Sequence, residues 1–149
     1  MLASRELELA ALAKVAGRSQ LSLKELASAP AYHDLTSNPD CVYDGTLIEL
    51  SYRAPLIADG GELVVCILGP LWDRVFQLEF LGVTALELLG FGRSIDMDLR
   101  EIQLDFAAHA PRCKFLGLSF STSIAVTYSS STVTRLSLER PIARSQLGT

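Results

Sequence analysis

The sequence predicts an α+β protein that is mainly β, an antiparallel sheet or two-sheet sandwich with an N-terminal helical hairpin packed on it. Three observations lead there. Residues 1–30 carry helical spacing and helix caps. From Tyr32 onward β-branched and aromatic residues alternate between turn signals at intervals of roughly 10 to 15 residues, the rhythm of an antiparallel sheet. The stretch Glu62 to Val83 reads as two apolar strands joined by Gly-Pro-Leu-Trp-Asp.

Ser4 can cap a helix that places Leu7, Ala11, Leu12 and Val15 on one side and ends at Gly17. Ser22-Leu-Lys-Glu25 has capping-box spacing, in which hydroxyl and carboxylate each accept from the other residue's backbone N–H. It predicts a short second helix to about Ser28, stopped before Pro30. The Leu/Ala face of this hairpin suits a cover for one side or edge of the sheet, or else a partner-binding arm.

Asn38-Pro39-Asp40 and Asp44-Gly45 are turn signals. Thr46 to Arg53 alternates, with Ile48, Leu50 and Tyr52 on one face and Leu47, Glu49 and Ser51 on the other. Asp59-Gly60-Gly61 turns the chain into Glu62 to Leu68, which is apolar on both parities and predicts a central strand covered on both faces. Pro70 cannot donate to a ladder and Gly69 tolerates turn dihedrals, so the chain reverses into Arg74 to Leu81. There Phe76, Leu78 and Phe80 point to the core, and Val75, Gln77 and Glu79 to water. Trp72 in the turn caps the end of the core or serves as a binding anchor.

Residues 82–92 fit a short strand or one helical turn. From Ile95 to Phe106 a helical reading places Ile95, Leu99, Ile102 and Phe106 on one face. A strand reading also accounts for Met97 and Leu104, provided one extra residue shifts the phase near Arg100-Glu101, a β-bulge. The strand is the better reading. After Pro111 come strands Lys114 to Ser121, Ile124 to Ser129 and Thr132 to Glu139. Their inward rows are Leu116, Leu118 and Phe120, then Ile124, Val126 and Tyr128. Pro141 onward lacks periodicity and reads as a loose tail. The whole is one domain over 1–149, with helices in 1–30, the β region in 32–140 and the tail in 141–149.

At 149 residues and 49% hydrophobic content the chain can bury a single core. A net charge of −4 argues against nucleic acid as partner, because phosphate binding needs a basic face. No apolar run reaches the roughly 20 residues that span a bilayer, and the acidic N-terminal residues do not resemble a signal peptide. Cytoplasmic placement is the expectation. Cys41, Cys66 and Cys113 are odd in number and widely spaced, which predicts three reduced thiols rather than a disulfide framework or zinc site.

Asp96, Asp98, Glu101 and Asp105 form an acidic stripe along the predicted bulged strand. Paired carboxylates of this kind can share a cation or do acid–base work, but no His or Asn completes a ligand set, so the stripe reads as a solvated surface that steers a basic partner. Trp72 is the aromatic candidate for the same role. His33, Asp34 and His109 are the candidates for a ligand site, although neighbours on a strand point to opposite faces and so divide His33 from Asp34. The Ser/Thr-rich region from Ser119 to Ser137 presents a hydroxyl-lined sheet face, the usual solvent side of an antiparallel sheet. No catalytic residue, metal site or cofactor follows from these patterns.

Tyr32-His33-Asp34, Gly-Glu-Leu-Val-Val at 61–65 and Phe-Gln-Leu-Glu-Phe-Leu-Gly-Val at 76–83 resemble a group of small bacterial β-rich proteins, some of them of the immunity type found beside polymorphic toxins. The resemblance covers about residues 32–138 and implies a non-catalytic protein that binds and blocks a toxin domain. The sequence expectation is therefore a non-enzymatic interaction module for a basic protein. The alternative is a small-molecule binder or enzyme with a pocket between sheet and helices. An exposed edge strand would also invite pairing into a homodimer.

Overall fold

A computed structural model describes residues 14–28, 41–55, 60–92, 97–106, 110–119 and 121–142. They form strands β1 (Val15–Leu21), β2 (Thr46–Arg53), β3 (Gly61–Leu68), β4 (Arg74–Val83), β5 (Ala85–Leu89), β6 (Leu99–Asp105), β7 (Arg112–Gly117), β8 (Ser123–Thr127) and β9 (Ser130–Leu138), with one helix, α1 (Leu23–Ala27). The strands make two antiparallel sheets, one of five in the order β1-β9-β4-β3-β2 and one of four in the order β5-β8-β7-β6. No helix among the described residues is long and apolar enough to cross a membrane.

Two pairs of strands carry the chain from one sheet to the other. Only Thr84 separates β4 from β5, and only Tyr128 and Ser129 separate β8 from β9, so β4 pairs with β9 in one sheet while β5 pairs with β8 in the other. The corner falls at Gly82, whose φ of +65° suits glycine and where a Cβ would run into the Ser129 side chain. Across the molecule, Leu47 N–H donates to the Met97 carbonyl at 2.9 Å and Leu99 N–H to that of Gly45 at 2.7 Å. These bonds stitch β2 to the start of β6, so the sandwich is closed along that side.

Period-2 alternation sends Leu63, Val65 and Ile67 of β3 and Phe76, Leu78 and Phe80 of β4 into the space between the sheets. Ile102 of β6, Phe115 of β7, and Ile124 and Val126 of β8 meet them there. Phe80 joins the two layers, its ring standing edge-on to Phe115 at 6.1 Å and to Tyr128 at 4.9 Å. Helix α1 adds Leu23 and Leu26 to this core. Its capping box forms as expected, with Glu25 N–H donating to Ser22 Oγ at 3.0 Å and Ser22 N–H to Glu25 Oε1 at 3.4 Å.

Several expectations are corrected. The N-terminal helical hairpin is not formed by the described residues: Val15 to Gly17 belong to β1, where pairing with Leu138 and Ser137 of β9 outweighs the local helical period. Ser4, Leu7, Ala11 and Leu12 lie outside the described residues, as do the Asn38-Pro39-Asp40 turn, Asp59, Ile95 and Phe120. In β4, Val75 and Gln77 are buried rather than wet, because this strand is the middle one of five. Val75 belongs to a second cluster on the outer face of the five-stranded sheet, with Val64, Cys66, Leu68, Leu136, Leu138 and Ile142, and Gln77 stands beside Cys66 of that cluster. Ile142 is thus anchored rather than part of a loose tail, and its N–H donates to the Trp72 carbonyl at 2.8 Å.

In β2 a bulge at Ile48 puts Leu47 and Leu50 against the inner core and Ile48 against the outer cluster. In β7 the inward residues are Cys113, Phe115 and Gly117, the opposite phase from Leu116 and Leu118. Apolar residues sit on both parities there, and the ladders to β6 and β8 decide between them. Residues 85–89 are a strand, and the bulged-strand reading of 97–105 holds, with the shift between Leu99 and Glu101. Phe106 follows the end of that strand and is 61% exposed.

Candidate interaction surfaces

The outer faces of the two sheets differ in chemistry. On the four-stranded sheet the ladders align Ala85, Thr127, Arg112 and Asp105 in one transverse row, Glu87, Ala125, Lys114 and Gln103 in the next, and Leu89, Ser123, Leu116 and Glu101 in a third. This face is charged and mixed in sign. Arg112 Nη2 lies 3.5 Å from Glu87 Oε2, and Arg100 Nη1 lies 3.1 Å from Glu101 Oε1, which also accepts from Gln103 Nε2 at 3.3 Å. Both ion pairs are open to water, so they organise the surface more than they stabilise the fold.

The bulge at Arg100 keeps Glu101, Gln103 and Asp105 on this outer face along the edge strand β6. Asp98 stands just before it, where the sheets are stitched, and accepts from Thr46 Oγ1 at 3.1 Å. Three of the four stripe residues therefore follow one edge, and Asp96 lies outside the described residues. Arg112 and Lys114 are the members of this surface that the linear pattern missed. Their place opposite Asp105 and Gln103 is set by strand register, which spacing along one strand does not encode.

Trp72 is not on this surface. It sits in the β3–β4 turn with φ +62° and packs on the outer cluster of the five-stranded sheet, so its ring caps that cluster. The hydroxyls of the Ser/Thr-rich region are divided between the sheets, with Ser123 and Thr127 on the outer face of one and Thr132 and Thr134 on that of the other. His33, Asp34 and His109 lie outside the described residues.

None of the three cysteines forms a disulfide, and all three are buried. Burial pushes the Cys113 thiol far above its ordinary value, a poor state for a nucleophile. Cys66 donates to Glu49 Oε2 at 3.9 Å. These two belong to a polar row running across the whole outer face of the five-stranded sheet, Gln20, Thr134, Gln77, Cys66 and Glu49. Its middle member, Gln77, is 2% exposed, and its Nε2 has no hydrogen-bond partner among the described residues.

Among the described residues no three His, Cys, Asp or Glu side chains gather closely enough to hold a metal ion. A shallow cleft of about 220 Å³ lies over β6 and β7, lined by Gln103, Leu104, Asp105, Arg112 and Lys114. Comparison with family models, with curated proteins and with solved structures returns no match for this chain.

Proposed function

We propose that this chain is a non-enzymatic protein-interaction module, of the immunity type in its mode of action, that binds a basic partner through the β6 rim. The observation that carries this reading is the alignment of Asp98, Glu101 and Asp105 along one edge of the four-stranded sheet. The side-chain-filled sandwich behind them supports the strand that carries these carboxylates. Arg112 and Lys114 one strand inward give the rim a charge pattern that a complementary surface can read, which favours specificity and association rate over raw affinity. At this rim a small-molecule site fits less well, since the cleft over β6 and β7 is smaller than the roughly 300–1,000 Å³ of typical ligand pockets.

The test is a pull-down with the tagged protein against lysate of its source organism at low and high salt, repeated with the double variant Glu101→Lys, Asp105→Lys. A basic protein captured at low salt, weakened as salt rises and lost with the double variant is the expected result. Capture that ignores both salt and charge reversal would overturn the assignment of the rim.

A further inference from the structure

Among the described residues the two sheets have four edge strands, β1 and β2 on one and β5 and β6 on the other. An edge offers unpaired backbone donors and acceptors to any other strand, and proteins commonly blunt it with a bulge, a charge or a covering element. Three of these four edges carry a bulge in the edge strand itself. The extra residue is Ala16 in β1, Ile48 in β2 and Arg100 in β6. The start of β2 is in addition bonded to the β6 side through Gly45 and Leu47.

Strand β5 has no bulge, and among the described residues no strand pairs with its outer side. Its ladder to β8 runs through five consecutive pairs without a shift, and it contains no Lys, Arg or Pro. Leu88 and Leu89 are 41% and 56% exposed, so a regular, apolar strand faces outward. Its one charge, Glu87, has Arg112 beside it.

We infer that β5 is a self-association edge, pairing antiparallel with β5 of a second copy so that two four-stranded sheets become one of eight strands. The side chains choose the register. Centring the twofold axis on Glu87 would oppose two carboxylates directly, which destabilises a ladder. Centring it on Leu88 opposes Leu88 to Leu88 and Glu87 to Leu89, and keeps every residue on its own face, as period-2 alternation requires. Leu88 is then covered by its own kind across the axis, while Leu89 lies beside the aliphatic stem of the second copy's Glu87, and a second copy supplies both this match and the backbone partner.

Sedimentation equilibrium of the full chain across a dilution series tests the association, and Leu88→Cys tests the register. Because Cys41, Cys66 and Cys113 are all buried, a cysteine at 88 gives an accessible thiol directly across the axis. The expected results are a reversible dimer, association weakened at least about tenfold by Leu88→Lys, and rapid disulfide dimer formation by Leu88→Cys under mild oxidation. Gln103→Cys on β6 serves as the control and remains monomeric under the same oxidation. A wild-type chain that is monomeric throughout overturns the inference. So does a dimer that Leu88→Lys leaves intact and that Leu88→Cys fails to cross-link.

Discussion

Gln77 offers the sharpest test of how the five-stranded sheet is built. Its side chain stands on the outer face of the middle strand, with Cys66 and Thr134 as its cross-strand neighbours and Val75 in the adjoining cluster. The amide is 2% exposed and its Nε2 donor lacks a partner among the described residues. Leaving a buried amide donor unsatisfied costs about 1–3 kcal/mol. Gln77→Met keeps nearly the same length and volume while removing both polar atoms, so little packing is lost. The expected outcome is a gain of about 1–2 kcal/mol, which for a chain of this size raises Tm by about 3–6 °C. Urea titration followed by tryptophan fluorescence is the assay, with the midpoint rising and the slope m unchanged. Gln77→Ala serves as the counterpart, since it also removes the amide but leaves a void whose cost offsets the gain. A loss of about 1 kcal/mol or more in Gln77→Met would refute the reasoning, because the amide would then be making a net favourable hydrogen bond.

Trp72 holds a left-handed backbone conformation that costs a non-glycine residue about 1 kcal/mol, while its ring packs on the outer cluster. Trp72→Gly and Trp72→Ala both remove the ring, but only glycine relieves the backbone, so the glycine variant should be the more stable by about 1 kcal/mol in urea unfolding. Equal stabilities would mean that the turn relaxes around alanine. Burial also holds the Cys113 thiol protonated in the folded chain at pH values where the unfolded chain ionises. This contribution is present in full below about pH 9 and is lost as pH rises beyond it, by about 1.4 kcal/mol per pH unit. Burial raises the neighbouring Tyr128 phenol too, which acts in the same direction. Cys113→Val should flatten the decline measured by urea titration between neutral and alkaline pH; an unchanged slope would place the titrating group elsewhere.

What could be read from the sequence depended on whether a signal was local. The β3 run shows its double burial directly, because both parities are apolar. The capping box needs only Ser22 and Glu25, and the slip at Arg100 appears as a change of phase within β6 itself. Register and neighbours are a different matter. Val15 fits a helical face and an edge strand equally well until β9 lies beside it, and Leu116 competes with Phe115 until the ladders choose Phe115. Gln77 looks like a water-facing residue because polarity is its only local signal, whereas its burial comes from its position in the middle of the sheet. The same limit applies to the surface: Glu101 and Asp105 are visible as an acidic pattern, but Arg112 and Lys114 enter it only through cross-strand pairing.

The two proposed surfaces occupy opposite edges of the same four-stranded sheet, β5 on one side and β6 on the other, so neither blocks the other. Pairing through β5 leaves both β6 rims at the outer edges of an eight-stranded sheet, seven strand spacings or roughly 34 Å apart at about 4.8 Å each. A compact basic partner would bind each rim separately, giving two partners per dimer. A partner with two basic faces or two tethered domains would gain from engaging both rims, because the second contact becomes intramolecular. Leu88→Lys should then leave the affinity of one rim for a single-site partner unchanged and remove only the two-to-two assembly. Light scattering of the mixture distinguishes these outcomes. A variant that loses partner binding altogether, while still folded, would mean that the rim and the β5 edge are one surface and that the separation argued from strand order is wrong.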